Sequence, residues 1–183
     1  MTFLQSLQNE FAMTLFQSIA IVVATIAVVW HLSTRRIPNL LTFGAALVAL
    51  LTHAYLGGWT GLGMSLAGWV VGVAFFFPLF ALGGMGGGDV KLLGAIGAWL
   101  GPIAVIWVGL FTGIAGGVMA LAVAGFSGYL RQALRNVWGL LLYWRVAGVQ
   151  PLPELTLSSP SRAPRLAYAV PVLTGLMVTL WWL

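Results

Sequence analysis

Residues 83–88 carry five glycines in six positions, and Asp89 follows them directly, with Lys91 two residues later. Removing a carboxylate from water beside apolar helices is unfavourable, by ~2.5–3.5 kcal/mol at the centre of a membrane helix. A carboxylate at this position therefore indicates a structural or functional role. Asp89 could be the N-cap of a helix over residues 89–100, accepting hydrogen bonds from the first-turn amides. It could instead be a catalytic or ion-handling group, because glycines allow positive φ and close approach of other groups to the backbone. The residues alone leave both interpretations open.

The composition is that of an integral membrane protein. Of 183 residues, 61% are hydrophobic and 6% are charged, which is too apolar for a soluble domain of this length. The net charge of +5 comes from basic residues dispersed between apolar segments, so we expect a lipid bilayer as the surroundings and no nucleic-acid partner. The chain has no cysteine, which excludes disulfides, thiolate nucleophiles and cysteine-based zinc sites.

Apolar segments divide most of the chain, and a spanning helix needs about 20 mostly apolar residues. We therefore predict an all-α membrane protein, with a bundle of about six transmembrane helices plus one interfacial amphipathic helix. We predict that residues 1–183 form a single membrane-embedded domain. The predicted spans are 12–32, 38–57, 61–82, 89–100, 102–126 and 165–183. The interfacial helix is predicted over 129–147, and a cytoplasmic linker over 148–164.

The basic residues predict the orientation. In this arrangement every Lys and Arg falls in the connections after the first and fifth spans, at the start of the fourth span beside the glycine-rich loop, or at the edge of the sixth span. Because Lys and Arg accumulate in cytoplasmic loops, that side of the membrane is predicted to be the cytoplasm. The glycine-rich loop is then cytoplasmic, and both termini lie outside.

Three short motifs carry a resemblance to a known family. Gly86-Gly87-Gly88-Asp89 fits the G-x-G-D motif of membrane-embedded aspartyl proteases, and S-T-R-R-I-P-N at 33–39 is similar to a cytoplasmic loop that follows the first span in that group. Leu166-Ala167-Tyr168-Ala169 is similar to a proline–tyrosine element, with Ala167 where proline is usual. Together these motifs resemble the type IV prepilin peptidase family, particularly its short form.

The resemblance implies a function at the cytoplasmic face of the cell inner (plasma) membrane. Members of this family cut the leader peptide from type IV prepilins and pseudopilins, which serve pilus assembly and protein secretion. The implied enzyme is an aspartic endopeptidase with two aspartates and with no cofactor or metal. One carboxylate takes a proton from water, and the other donates a proton to the scissile carbonyl. The resemblance further implies that Asp89 is catalytic, that Gly86, Gly87, Gly88 and Lys91 bind substrate or support the loop, and that a prepilin or pseudopilin helix is the partner.

Half of the implied catalytic pair departs from the family pattern. The first family aspartate stands six residues before the isoleucine of I-P-N, and His31 occupies that position. Three interpretations stay open: a substitution introduced to disable the enzyme, a natural inactive homologue that binds pilins or assists assembly, and a His–Asp pair that still hydrolyses peptides. We expect impaired activity, because an imidazolium beside the Asp89 carboxylate offers no carboxylic acid donor.

The remaining titratable residues are predicted to lie away from Asp89. His53 falls late in the second span, toward the outer side, Glu10 lies at the opposite face, and Glu154 is in the linker. A small transporter with Asp89 as its proton relay is a third class of function. It is disfavoured because no second acid in the spans could pass the proton onward.

Overall fold

A computed structural model describes residues 3–81, 85–128, 130–148 and 167–182, and its regular secondary structure within these ranges is α-helical. The predicted all-α class is therefore confirmed. The six helices, in chain order, are α1 Phe3–Thr34, α2 Asn39–Ala81, α3 Gly87–Leu100, α4 Pro102–Phe126, α5 Leu130–Ala147 and α6 Ala169–Trp182.

The helix α2 is a hairpin of two arms. Its 43 residues would extend about 65 Å as one straight helix, twice the ~30 Å thickness of a bilayer core. Gly58 breaks it with φ 57° and ψ −144°, a conformation that glycine adopts at little cost. Gly61 lies directly against the backbone carbonyl of His53, which is possible only if the chain turns back on itself. We call residues 39–57 the first arm and residues 59–81 the second arm.

Helix α3 packs between these two arms with its backbone almost touching the second. A Cβ on either Gly68 or Gly97 would overlap the carbonyl oxygen of the other residue. One on Gly72 would lie 2.6 Å from the Leu93 carbonyl oxygen and 2.9 Å from the Cα atom of Gly94. Small residues at both surfaces let apolar helices approach this closely.

Side chains from both arms bind the carbonyl groups at the end of α3. The Ser65 hydroxyl donates a hydrogen bond of 2.8 Å to the Ala98 carbonyl, and Nε2 of His53 lies 3.2 Å from the Trp99 carbonyl oxygen. Carbonyls in the last turn of a helix lack partners within the helix, so these contacts satisfy them. The chain then turns at Gly101, with φ 85°, and Pro102 begins α4.

Helices α1 and α6 run antiparallel to α3 and α4, respectively. Phe16 of α1 lies beside Trp99, with ring centroids 5.8 Å apart, whereas the last turn of α1 reaches the first turn of α3. In α6, Gly175 contacts Thr112 of α4, and Tyr168 lies near Gly116. The end of α1 and the starts of α3 and α6 therefore meet at one end of the bundle.

The number of membrane spans stays a prediction. Among the described residues, three helices are long and apolar enough to cross a membrane: Glu10–Thr34, Asn39–Ala81 and Pro102–Phe126. Helices α3 and α6 have 14 residues each, about 21 Å, which is shorter than a bilayer core. The helix predicted over 129–147 is present as α5, and its interfacial position remains a prediction. Residues 149–164 of the predicted linker, with Glu154, lie outside the described residues.

The contact between α3 and the second arm predicts the effect of one methyl group. We expect Gly97→Ala to destabilise the protein by about 1–3 kcal/mol, because the new Cβ overlaps a backbone atom that cannot rotate away. The measurement is the midpoint of thermal unfolding in detergent. Gly63→Ala in the second arm of α2 is the control, since a Cβ there meets no atom within 4 Å. Equal midpoints for the two variants would show that the helices do not pack this closely.

Candidate active site

A cavity of about 760 Å³ lies where the end of α1 and the starts of α3 and α6 meet. Sequence-predicted residues supply much of its wall, namely His31, Gly86, Gly87, Gly88 and Asp89. The remaining lining residues are Leu32, Arg35, Arg36, Ile37, Asn39, Met85, Ala167 and Tyr168. The structure thus brings all three motifs of the sequence analysis to one place.

His31 stands in the last turn of α1, just before the chain changes direction. The amide of Arg35 donates a hydrogen bond of 2.8 Å to the His31 carbonyl, and Arg35 has a φ of 54°. This left-handed conformation is uncommon for a residue with a side chain. It ends the helix, and the Arg36 amide is held 3.4 Å from the Thr34 hydroxyl oxygen. The imidazole is therefore positioned by a sharply defined helix end.

Asp89 is the third residue of α3, and the interpretation of Asp89 as the N-cap is wrong. The N-cap is Gly86, which makes no side-chain capping bond, and the helix begins at Gly87. The capping geometry requires a residue just outside the helix, whereas Asp89 already lies within the first turn. A carboxylate there still interacts favourably with the helix dipole. Only 3% of the Asp89 surface is exposed, so its side chain is buried within the site.

The two side chains face each other. Nδ1 of His31 lies 3.5 Å from Oδ1 of Asp89, and the side chains are 13% and 4% exposed. Within the described part of the chain neither atom has a hydrogen-bond partner. Buried polar atoms are nearly always paired, so two facing atoms without partners mark a site built for a further group. A water molecule, which can both donate and accept, can hydrogen-bond to both atoms from inside the cavity.

The glycines before Asp89 are explained by close approach rather than by unusual φ angles. Gly86, Gly87 and Gly88 do not have positive φ angles. The expectation that the glycines provide positive φ is therefore wrong for these three residues. A Cβ on Gly86 would lie 3.1 Å from Oδ2 of Asp89, and one on Gly88 would lie 3.2 Å from Cβ of Ile37. Gly87 is equally close to the ring of Phe80. Glycine at these positions lets the loop pack against the I-P-N segment and the end of α2.

Lys91 points away from the cavity. Its ammonium group donates a hydrogen bond of 3.0 Å to Oδ1 of Asn39 and lies 5.2 Å from the ring centroid of Phe43. Lys91 thus fastens the start of α2 to α3. Asn39, which lines the cavity, owes its position to this bond. The sequence showed both residues but gave no sign that they would meet.

The other histidine and the other acidic residue that the structure describes, His53 and Glu10, lie elsewhere. His53 is beside Trp99, ten residues further along α3 than Asp89 and so about 15 Å away. Glu10 is exposed near the start of α1. Both placements agree with the sequence analysis. Across the described residues, no group of three or more His, Asp or Glu side chains is arranged to hold a metal ion.

Comparisons with known proteins agree with this geometry. The model of the type IV leader peptidase family matches residues 18–121, more than half of the chain, and this stretch includes both His31 and Asp89. No curated protein and no solved structure matches the chain.

A pair of cysteines tests the contact between residues 31 and 89. The chain has no natural cysteine, so His31→Cys with Asp89→Cys contains two thiols, and we expect a short bifunctional thiol reagent to join them rapidly. The control is His53→Cys with Asp89→Cys, whose thiols would lie too far apart. Crosslinks are counted by mass spectrometry of the digested protein. Equal yields from the two pairs would contradict the geometry.

Proposed function

The chain belongs to the type IV leader peptidase family, and we propose that it is built to cut the leader peptide of a type IV prepilin or pseudopilin, with Asp89 as a catalytic residue. We further propose that His31 occupies the position of the first family aspartate. The observation that carries both proposals is the distance of 3.5 Å between His31 Nδ1 and Asp89 Oδ1. Two groups this close can act on one peptide bond.

Peptide hydrolysis needs a base and an acid at the same carbonyl. The base takes a proton from water as its oxygen attacks the carbonyl carbon. The acid donates a proton to the carbonyl oxygen, and a proton then passes to the nitrogen as the C–N bond breaks. Two carboxyl groups that share one proton supply the base and the acid together. Asp89 supplies one of these groups.

We propose that His31 impairs this chemistry. A carboxylate has two oxygens, so it can bind an attacking water with one while the other faces its partner. His31 presents the single atom Nδ1 to Asp89. When the imidazole is protonated, its N–H pairs with the ionised Asp89, and no carboxylic acid is left to protonate the substrate carbonyl. The cavity therefore keeps its shape and loses half of its acid–base chemistry.

The charge distribution supports a cytoplasmic location for the site in a cell inner membrane. Arg35 and Arg36 line the cavity, and Lys91 lies close by in α3. The turn at Gly58, at the other end of the α2 hairpin, has no basic neighbour in residues 54–62. Basic residues accumulate on the cytoplasmic side of membrane proteins, so the cavity opens there and the termini lie outside.

Helix α5 supports the same orientation. Its exposed apolar side chains include Leu134, Val137 and Trp138, while Arg131 is exposed toward its start. A helix with one apolar and one basic face lies in the membrane interface, with its basic face toward the headgroups. We propose that α5 rests on the cytoplasmic interface close to the site.

The cavity keeps its other features despite His31, and this favours a second candidate function. The cavity keeps the glycine loop, the tight contact of Gly88 with Ile37 and the two arginines. It holds His31 opposite Asp89, so it is suited to bind a prepilin without cutting it. In this alternative the chain acts in pilin binding or assembly. The cavity residues serve both functions, so cleavage and binding have to be measured separately.

The decisive change is His31→Asp. We expect it to raise cleavage of a prepilin-like peptide by at least about 100-fold over the unchanged chain, because it restores a second carboxyl group beside Asp89. Adding Asp89→Asn to this variant should abolish the gain. Asn39→Asp is the matched control, since it adds a carboxylate to the same cavity but opposite Lys91. Cleavage is followed by mass spectrometry of the released leader.

The outcomes separate the two functions. A gain with His31→Asp alone supports a disabled peptidase. Tight binding of the peptide without cleavage by any variant supports the pilin-binding alternative. Cleavage by the unchanged chain at the rate of the His31→Asp variant would contradict the proposed impairment.

A further inference from the structure

A second, almost wholly apolar groove of about 480 Å³ lies between α1 and the first arm of α2. Ile19, Val23 and Ile26 line one side, and Leu41 and Val48 line the other. The ring of Trp99 also lines the groove, at the level of Phe16. The described lining residues include no charged side chain, so the groove suits a hydrocarbon surface.

The groove borders the cavity of the candidate active site at two points of the chain. Trp30 lines the groove and is followed in the chain by His31, which lines the cavity. Pro38 lines the groove, whereas its neighbours Ile37 and Asn39 line the cavity. A chain that lies in the groove and continues past these residues therefore reaches the cavity that contains His31 and Asp89.

The length of the groove corresponds to a few turns of helix. It extends along α1 from Trp30 to Ile19, eleven residues or about 16 Å. On the opposite wall, Gly44 and Ala45 have little or no side chain, and a Cβ on Gly44 would meet no atom within 4 Å. A wall of small residues allows a second helix to approach closely in a membrane.

We propose that this groove seats the apolar helix that follows the scissile bond of the substrate. This inference rests on the proposed function, because it needs a substrate with a leader joined to an apolar helix. The first three turns of that helix lie between α1 and the first arm of α2. Seating them fixes the depth of the chain, so that the peptide bond just before the helix stands at Asp89. The groove thus selects substrates by their apolar segment, and the cavity acts on the residues before it.

Gly44→Leu tests the proposal by filling the groove. We expect it to weaken binding of a prepilin-like peptide with a 20-residue apolar helix by at least about tenfold. Binding of a peptide with the same leader and a polar segment in place of the helix should be unchanged. The matched control is Gly117→Leu in α4, where a Cβ also meets no atom within 4 Å. Affinities are measured in lipid nanodiscs, and cleavage by the same variants is measured with His31→Asp present.

Photo-crosslinking gives a second readout that does not depend on filling the groove. Val48 lines the groove, and its neighbour Leu47 is similarly exposed, at 57% against 53% for Val48, but does not line it. A benzophenone amino acid at position 48 should crosslink to the apolar helix of the bound peptide, and the same group at position 47 should not.

The results distinguish a wrong groove from a wrong function. If the peptide binds, or is cut with His31→Asp, but Gly44→Leu behaves like Gly117→Leu, the groove is wrong and the function stands. If Gly44→Leu only releases bound phospholipid, the groove is a lipid site and the proposal is overturned. If no variant binds or cuts either peptide, the proposed function fails, and the groove assignment fails with it.

Discussion

The backbone-to-backbone packing of α3 in the α2 hairpin sets the position of Asp89, and the site depends on it. Gly68 and Gly97 leave no room for a side chain between the helices, so α3 cannot slide along the second arm without a clash. The hydrogen bond from Ser65 to the Ala98 carbonyl fixes its far end. The first turn of α3 is thereby held against the last turn of α1. A short helix with one acidic residue becomes a rigid support for that residue.

Much of this arrangement followed from sequence patterns with a physical basis. The length of the apolar segments predicted the helices, and the positive φ of Gly58 agrees with the predicted break in α2. The motifs predicted that His31 and Asp89 would form a pair. Each of these predictions depends on local composition or on a motif that spans only a few residues.

The features that sequence did not predict depend on contacts between distant segments. The start of α3 is set by how the glycine loop packs on Ile37, which placed Asp89 inside the helix and not at its cap. Lys91 bonds to Asn39, although 52 residues separate them. The groove beside Trp99 is lined by residues of α1 and of the first arm of α2. Periodicity within one helix carries no information about such pairings.

The central claim is that His31 and Asp89 act on each other in the folded protein. The chain has two histidines, so selective ¹⁵N labelling gives imidazole signals from His31 and His53 alone. The most direct measurement compares these signals by NMR before and after Asp89→Asn. The account predicts that the nitrogen signals of His31 shift while those of His53, beside Trp99, stay in place. Unchanged His31 signals, or equal shifts of both histidines, would contradict it.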